Sequence, residues 1–245
     1  MANWSDPRSD IAGFGGASVA RGEAFDAGLR SYMLSVYNYM ASGVLLTGLV
    51  AMLFASSGLA YQLLAGPGIL KYVIMFAPLG FVMALSFGIQ RMSTFTAQAL
   101  FWAYAAVMGL SLSSIFLVYT GSSIAQTFFA TAAAFAGLSL FGYTTKKDLS
   151  GFGTFLIMGV VGLLVASLIN IFLKSSMMNL IISFVGVLLF AGLTAYDTQK
   201  IKGIYAHVAG TDMMGKSVVM GALNLYLDFI NMFMFLLRFM GSSRN

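Results

Sequence analysis

The chain has 245 residues, of which 59% are hydrophobic and only 9% are charged. Soluble domains carry about 25% charged residues, so this composition excludes a water-soluble globular fold and makes lipid the expected solvent. The net charge of +5 fits basic loops beside a membrane better than a nucleic-acid surface, and the absence of cysteine excludes disulfide and thiol chemistry.

The first 28 residues predict a flexible N-terminal cytoplasmic tail. They are polar and rich in glycine, and no apolar core follows the first charges, as it would in a signal peptide. Residues 29–241 are predicted to form a transmembrane helical bundle, followed by a short C-terminal tail over residues 242–245.

Seven apolar stretches follow the tail, each close to the roughly 20 residues that a helix needs to cross about 30 Å of hydrocarbon. They do not alternate with the period of two typical of barrel strands. Backbone groups in lipid must be hydrogen-bonded within their own segment. The sequence therefore predicts an all-α membrane protein, a seven-transmembrane-helix bundle, with helices near 33–55, 72–90, 99–118, 124–143, 154–173, 177–196 and 217–237.

The basic residues predict an inner-membrane protein with a cytoplasmic N-terminus. Nine of them fall in segments on that side and four on the other. If the last segment, 217–237, were instead re-entrant, the C-terminus would return to the inside and the counts would be eleven and two. That alternative stays open at the level of the sequence.

Two acidic residues, Asp197 and Asp228, fall in or at the end of apolar segments. A carboxylate in a bilayer costs from about 2.5 kcal/mol upward, so it requires a partner, a water-filled cavity or a proton. Intramembrane acids are functional by default. A protonated structural role for Asp228 and an interfacial position for Asp197 remain alternatives.

One face of the last helix is small and polar over most of its length. Steps of three and four residues place its members on that face, which predicts contact with the bundle interior or water: Ser217, Gly221, Asn224, Asp228, Asn231, Phe235 and Arg238. Gly221, Asn224 and Asn231 are candidates to line a pore. The alternative is a packing seam of small residues between helices.

Arg91 follows the second predicted helix and has two interpretations. It can be an interfacial anchor whose side chain extends to the headgroups. It can also turn inward and hold a carboxylate ionised, as a latch.

Two blocks resemble the Bax-inhibitor family of transmembrane Bax-inhibitor-motif proteins, in a bacterial version: AYDTQKI at 195–201 and LYLDFINMFMFLLRFMG at 225–241. The resemblance implies a seven-helix bundle with the last helix central, and a pH-sensitive calcium leak. It also implies that Asp197 and Asp228 form the pH sensor, with Arg91 as the latch.

The resemblance leads to a gating hypothesis. Two adjacent carboxyl groups in a low dielectric cannot both ionise cheaply, so they would share a proton and close the path at low pH. Repulsion, or a cation entering between them, would open it. The pair with nearby oxygens would form a weak calcium site, suited to a permeating ion, and no cofactor is expected.

The predicted helix bounds do not place the two aspartates at one depth. Asp228 is 11 residues into its segment, about 16 Å from the inner face, whereas Asp197 is at the inner end of its own. Contact requires one helix to extend or tilt.

Three other functions remain in view. An intramembrane aspartyl protease also uses two aspartates, but its Gly-x-Gly-Asp motif is replaced here by Leu225-Tyr226-Leu227-Asp228, so no enzyme is predicted. A proton-coupled transporter for a small solute would use buried acids as well. A non-transporting membrane scaffold is the third. For the calcium leak, the expected partners are membrane lipids, calcium and protons.

Overall fold

The computed structural model describes residues 8–66 and 68–244. In that part of the chain it contains eight α-helices and one π-helical turn (Tyr61–Ala65). The helices are α1 (Arg8–Ser56), α2 (Leu70–Gly88), α3 (Thr94–Leu112), α4 (Ile115–Val118), α5 (Gly121–Thr144), α6 (Ser150–Leu173), α7 (Ser176–Val208) and α8 (Met213–Met240).

Seven helical segments are long and apolar enough to cross a membrane, which confirms the predicted fold class. Six of them are α1, α2, α5, α6, α7 and α8, and the seventh is formed by α3 and α4 together. Many large apolar side chains on them point outward, for example Phe87 and Phe172, which are 81% and 85% exposed. Such a surface suits lipid and not water.

The bundle has two ends, which we name after a residue at each. At the Arg91 end, Lys216 Nζ donates to the carbonyl oxygen of Gln90 at 3.3 Å, and Gln199 Nε2 donates to that of Lys147 at 2.8 Å. The Lys174 end holds the turn between α6 and α7 and the end of α8.

The last helix crosses the whole bundle. It begins at the Arg91 end and finishes beside α4 at the Lys174 end, where the Arg244 amide donates to the carbonyl oxygen of Val118 at 2.8 Å. The re-entrant alternative for this segment is therefore wrong.

The predicted central position of the last helix is confirmed. α8 packs against α1, α3, α5 and α7, and Leu225, Tyr226 and Leu237 on it are completely buried. α8 has one small polar face and is apolar elsewhere, and a helix of this kind is stable at the centre of a bundle, where other helices cover all its sides. Here Gly221 and Ala222 allow the neighbours to approach closely.

The structure differs from the predicted bounds in the first helix. α1 begins at Arg8, so residues 8–28 of the predicted tail are helical, and residues 1–7 lie outside the described residues. The absence of proline between Pro7 and Pro67 explains this continuity, since no residue there removes a backbone donor.

The third predicted helix is interrupted after Leu112, where α3 ends and α4 follows from Ile115. The hydroxyl groups of Ser113 and Ser114 donate to the carbonyl oxygens of Leu110 and Ser111 at 2.6 and 3.1 Å. Serine side chains that bond to nearby carbonyl groups compete with the helical hydrogen bonds and favour such a break.

The sixth predicted helix is three turns longer than its apolar stretch. α7 continues to Val208 although its last turns are mostly polar, because Ile201 and Tyr205 are buried and keep one face of these turns packed against the bundle. It ends where Gly210 adopts a φ of 73°, a left-handed conformation that glycine tolerates. The extension places Asp197 well inside the helix.

Candidate functional site

The structure places the carboxyl groups of Asp197 and Asp228 next to each other between α7 and α8. Asp228 is only 4% exposed, and Asp197 is half-buried. The two acids that the sequence singled out therefore form one site in the interior of the bundle.

The depth problem is resolved by the true helix ends. Asp197 lies about 16 Å from the end of α7, and Asp228 lies about 22 Å from the start of α8, both at about 1.5 Å per residue. Residues 209–212 connect the two helices, so these run antiparallel with their carboxyl groups at a similar height. Asp228 is thus close to the middle of α8.

The proximity of the two acids couples their protonation. Two carboxylates in a low dielectric repel each other strongly, whereas a carboxylic acid donates a strong hydrogen bond to a carboxylate. This proximity favours a state in which the two carboxyl groups share one proton and titrate together. Oδ2 of Asp228 has no hydrogen-bond partner among the described residues, so it can still accept a proton, a cation or water.

The structure places a lysine next to the pair. Lys200 lies one turn after Asp197 on α7, and its charge acts on that carboxyl group. Arg91 is exposed in the turn after α2. Within the described residues it forms no ion pair with Asp197 or Asp228. The latch role of Arg91 stays a prediction. The spacing of three residues between Asp197 and Lys200 was the signal for the nearer cation.

Residues of α1 and α5 hold α7 in place beside the pair. Ser139 Oγ of α5 is 2.9 Å from Thr198 Oγ1, next to Asp197 in the chain, and 2.6 Å from the Tyr37 hydroxyl of α1. One turn away, Gly142 of α5 lies directly against the backbone of Ala195. Sequence reasoning missed this support because serine, threonine and glycine are common throughout apolar helices.

The candidate pore-lining residues of α8 divide into two groups. Gly221 and Asn224 line a cavity of about 180 Å³ that opens toward the Arg91 end and also contains Lys200 and Lys216. Asn231 lies on the other side of Asp228, and its Nδ2 donates to the carbonyl oxygen of Leu227 at 2.8 Å.

An aromatic pair separates the aspartates from the Lys174 end. Phe235 of α8 stacks on Phe190 of α7 with ring centroids 5.8 Å apart and an interplanar angle of 22°. Gly186 lies against the Phe235 ring and leaves it the space to stack. A water-filled path along this face would have to pass both the acid pair and these two rings.

The site offers few ligands for a metal ion. No group of three or more His, Cys, Asp or Glu residues lies together in the described part of the chain. Calcium takes six to eight oxygen ligands, and two carboxylates supply at most four. Carbonyl groups or water would have to supply the rest, so the pair suits a transient cation better than a resident one.

The chain is similar to bacterial membrane proteins over almost its whole length. A family model described as inhibitor of apoptosis-promoting Bax1 matches residues 29–245. The inner membrane protein YbhL of Escherichia coli is 46% identical over 220 residues, 89% of this chain and 94% of that protein. Protein RP147 of Rickettsia prowazekii is 48% identical over 229 residues, 93% of this chain and 96% of its own.

Proposed function

The chain belongs to the Bax inhibitor family, and on that premise we propose that it is a pH-sensitive calcium leak channel, with no enzymatic activity, gated by protonation of Asp197 and Asp228. The observation that carries the proposal is the contact between their carboxyl groups inside a membrane bundle. Membership in the family confirms the resemblance seen at residues 195–201 and 225–241.

The gate rests on the change in charge when the pair loses its proton. While the proton is shared, the hydrogen bond ties α7 to α8 and the path is closed. Loss of the proton leaves two negative charges in contact, which favours either separation of the helices or entry of a divalent cation between them. Flux of calcium therefore rises with pH.

A route along α8 links the gate to both ends of the bundle. From the Arg91 end, the cavity beside Gly221 reaches Asn224, which lies one helical turn before Asp228. Beyond it, Asn231 and the stacked ring of Phe235 lie on the same helix face. Opening requires Phe235 and Phe190 to move apart, since a dry aromatic constriction stops a hydrated ion.

We place the chain in the bacterial inner membrane with the Arg91 end in the cytoplasm. Lys146, Lys147, Lys200, Lys202 and Lys216 lie at this end, and cytoplasmic loops carry the excess of lysine and arginine. The name of the Escherichia coli relative, an inner membrane protein, supports the location. Lipids, protons and calcium are the proposed partners, and calcium is the permeant ion and not a cofactor.

The test is calcium flux into liposomes that contain the purified protein, measured with a trapped dye from about pH 5 to about pH 8. The unaltered protein should pass more calcium as the pH rises. Asp197→Asn and Asp228→Asn should each flatten this dependence, because the pair can no longer change between one and two negative charges. A pH profile that both variants share with the unaltered protein would sink the proposal.

Asp148→Asn is the matched control. Asp148 lies in the loop before α6, where hydrogen bonds from the side chain and backbone of Ser150 hold the pKa of its carboxyl group below its usual range. This exposed carboxylate stays ionised across the pH range, so its removal should leave the profile unchanged. A profile flattened by Asp148→Asn would point to surface charge and not to the buried pair.

A further inference from the structure

The Lys174 end contains a polar cavity of about 440 Å³ that the proposed gate does not use. It lies between the turn from α6 to α7 and the last turns of α8. Two cationic side chains, Lys174 and Arg238, line it together with the side chains of Ser167, Asn170, Ser176 and Asn179. The lining contains no acidic residue.

The positive charges of this cavity have no counterpart in the described chain. The acidic residues whose side chains the structure describes are Glu23, Asp26, Asp148, Asp197, Asp212 and Asp228, none of which lies at the Lys174 end. Neither Lys174 nor Arg238 forms an ion pair with a described side chain. Two cations that share one cavity without a carboxylate repel each other, so a bound anion would stabilise the arrangement.

Local structure sets the backbone position of Lys174, and an aromatic ring lies near the guanidinium of Arg238. Lys174 adopts a φ of 49°, and it is the only described residue other than glycine with a positive φ. Its amide donates to the carbonyl oxygen of Asn170 at 2.8 Å, and Asn170 Oδ1 accepts from the Ser175 amide at 3.1 Å. The guanidinium of Arg238 lies 5.8 Å from the centre of the Phe235 ring.

The remaining polar groups suit an oxyanion with several oxygens. An arginine binds phosphate or carboxylate through two parallel hydrogen bonds, while a lysine acts as a point charge. Ser176 and Asn179, in the first turn of α7, add a hydroxyl group and an amide on the same side. Phosphate, with its four oxygens, can engage all of these donors.

From this arrangement we propose that the cavity between Lys174 and Arg238 binds a phosphate group at the Lys174 end of the bundle. The group can belong to a membrane phospholipid or to a soluble phosphate. Phe172 and Met177 are neighbours in the chain of the lining residues Ile171 and Ser176, and they are 85% and 67% exposed, an apolar surface that suits acyl chains. The proposal does not depend on the calcium leak.

The test measures the apparent Tm of the purified full-length protein in an uncharged detergent, at constant ionic strength. Dihexanoyl phosphatidylglycerol, its phosphatidylcholine counterpart and inorganic phosphate are added separately, because a ligand that binds only the folded state raises Tm. A rise with the anionic lipid alone assigns the site to a lipid headgroup. A rise with inorganic phosphate as well assigns it to free phosphate.

Lys174→Gln and Arg238→Gln should each weaken the response by about tenfold or more in ligand concentration, because each removes a charge-assisted hydrogen bond. The matched control is Lys71→Gln, which removes a cation of the same end outside the cavity. No rise in Tm with either anion, an unchanged response in the Lys174→Gln, Arg238→Gln double variant, or an equal loss in Lys71→Gln would each overturn the proposal.

A second measurement needs no substitution. Native mass spectrometry of the unaltered protein, with equal amounts of phosphatidylglycerol and phosphatidylcholine, should show preferential retention of the anionic lipid if the phosphate comes from the membrane. Lys174→Arg keeps the charge and should keep this preference. Equal retention of the two lipids, together with no response to inorganic phosphate, contradicts the site.

Discussion

The close contact between α5 and α7 beside the acid pair makes Gly142→Ala the sharpest structural test. A Cβ at position 142 would lie 2.9 Å from the carbonyl carbon of Ala195 and 3.0 Å from its Cα, and closer still to its oxygen. These are backbone atoms, which cannot turn aside as a flexible side chain can. The two helices must therefore separate.

Separation of α5 and α7 also affects the hydrogen bond between Ser139 and Thr198. This bond is 2.9 Å long. Ser139 lies one turn from Gly142 on α5, and Thr198 lies one turn from Ala195 on α7. A displacement of about 0.6 Å lengthens it to about 3.5 Å, where it no longer counts as a hydrogen bond. Thr198 directly follows Asp197, so the disturbance reaches the candidate gate.

The expected loss of stability follows from three contributions. Overpacking costs about 1–3 kcal/mol, and the lost hydrogen bond about 1 kcal/mol. The higher helix propensity of alanine returns about 1 kcal/mol. The net loss of about 1–3 kcal/mol should lower the apparent Tm by roughly 2–12 °C for a chain of this length.

The assay compares the thermal unfolding of Gly142→Ala with that of Gly137→Ala in the same detergent. Gly137 is on the same helix, and a Cβ there would meet nothing within 4 Å. Gly137→Ala should therefore keep or raise the apparent Tm. If Gly142→Ala were as stable as Gly137→Ala, the close backbone contact between α5 and α7 would be refuted.

Two further predictions concern single contacts. Thr47→Val leaves the buried hydroxyl of Tyr226 without its 2.7 Å partner, whereas Tyr226→Phe leaves Thr47 bonded to the Ala105 carbonyl oxygen. Thr47→Val should thus lower the free energy of unfolding by about 1–3 kcal/mol and Tyr226→Phe by about 1 kcal/mol; the reverse order in a denaturation series would contradict the assignment. Lys200→Gln removes the cation that favours the ionised pair, so the pH of half-maximal calcium flux should rise relative to the unaltered protein. A fall in that pH would show that Lys200 does not act on Asp197.

Part of the candidate site could be predicted because a bilayer tolerates few charges. Asp197 and Asp228 were identified from their position in apolar segments alone, since the desolvation cost of a carboxylate makes such positions informative. The partner of the pair could not be found in the same way. A sequence gives the distance along one helix, as from Asp197 to Lys200, but it does not show which loop residue turns inward, and Arg91 is exposed in this structure.

Helix bounds were predictable only where apolar composition and helical structure coincide. α5 and α6 extend the predicted stretches by a few residues, whereas α7 continues through polar residues to Val208. Hydropathy records where lipid touches the chain, and it does not record where backbone hydrogen bonds stop. Hydropathy therefore predicts too early an end for a helix that continues beyond the membrane with one face still packed, as α7 does at Ile201 and Tyr205.

The sequence by itself determined the solvent, the number of membrane-spanning segments and the two acids, because each of these follows from the cost of placing polar groups in hydrocarbon. The tertiary structure alone decided that the acids meet. Their contact depends on the length of α7, on the antiparallel packing of α7 and α8, and on the close approach of Gly142 to Ala195. Such relations join residues far apart in the chain, and local composition carries no information about them.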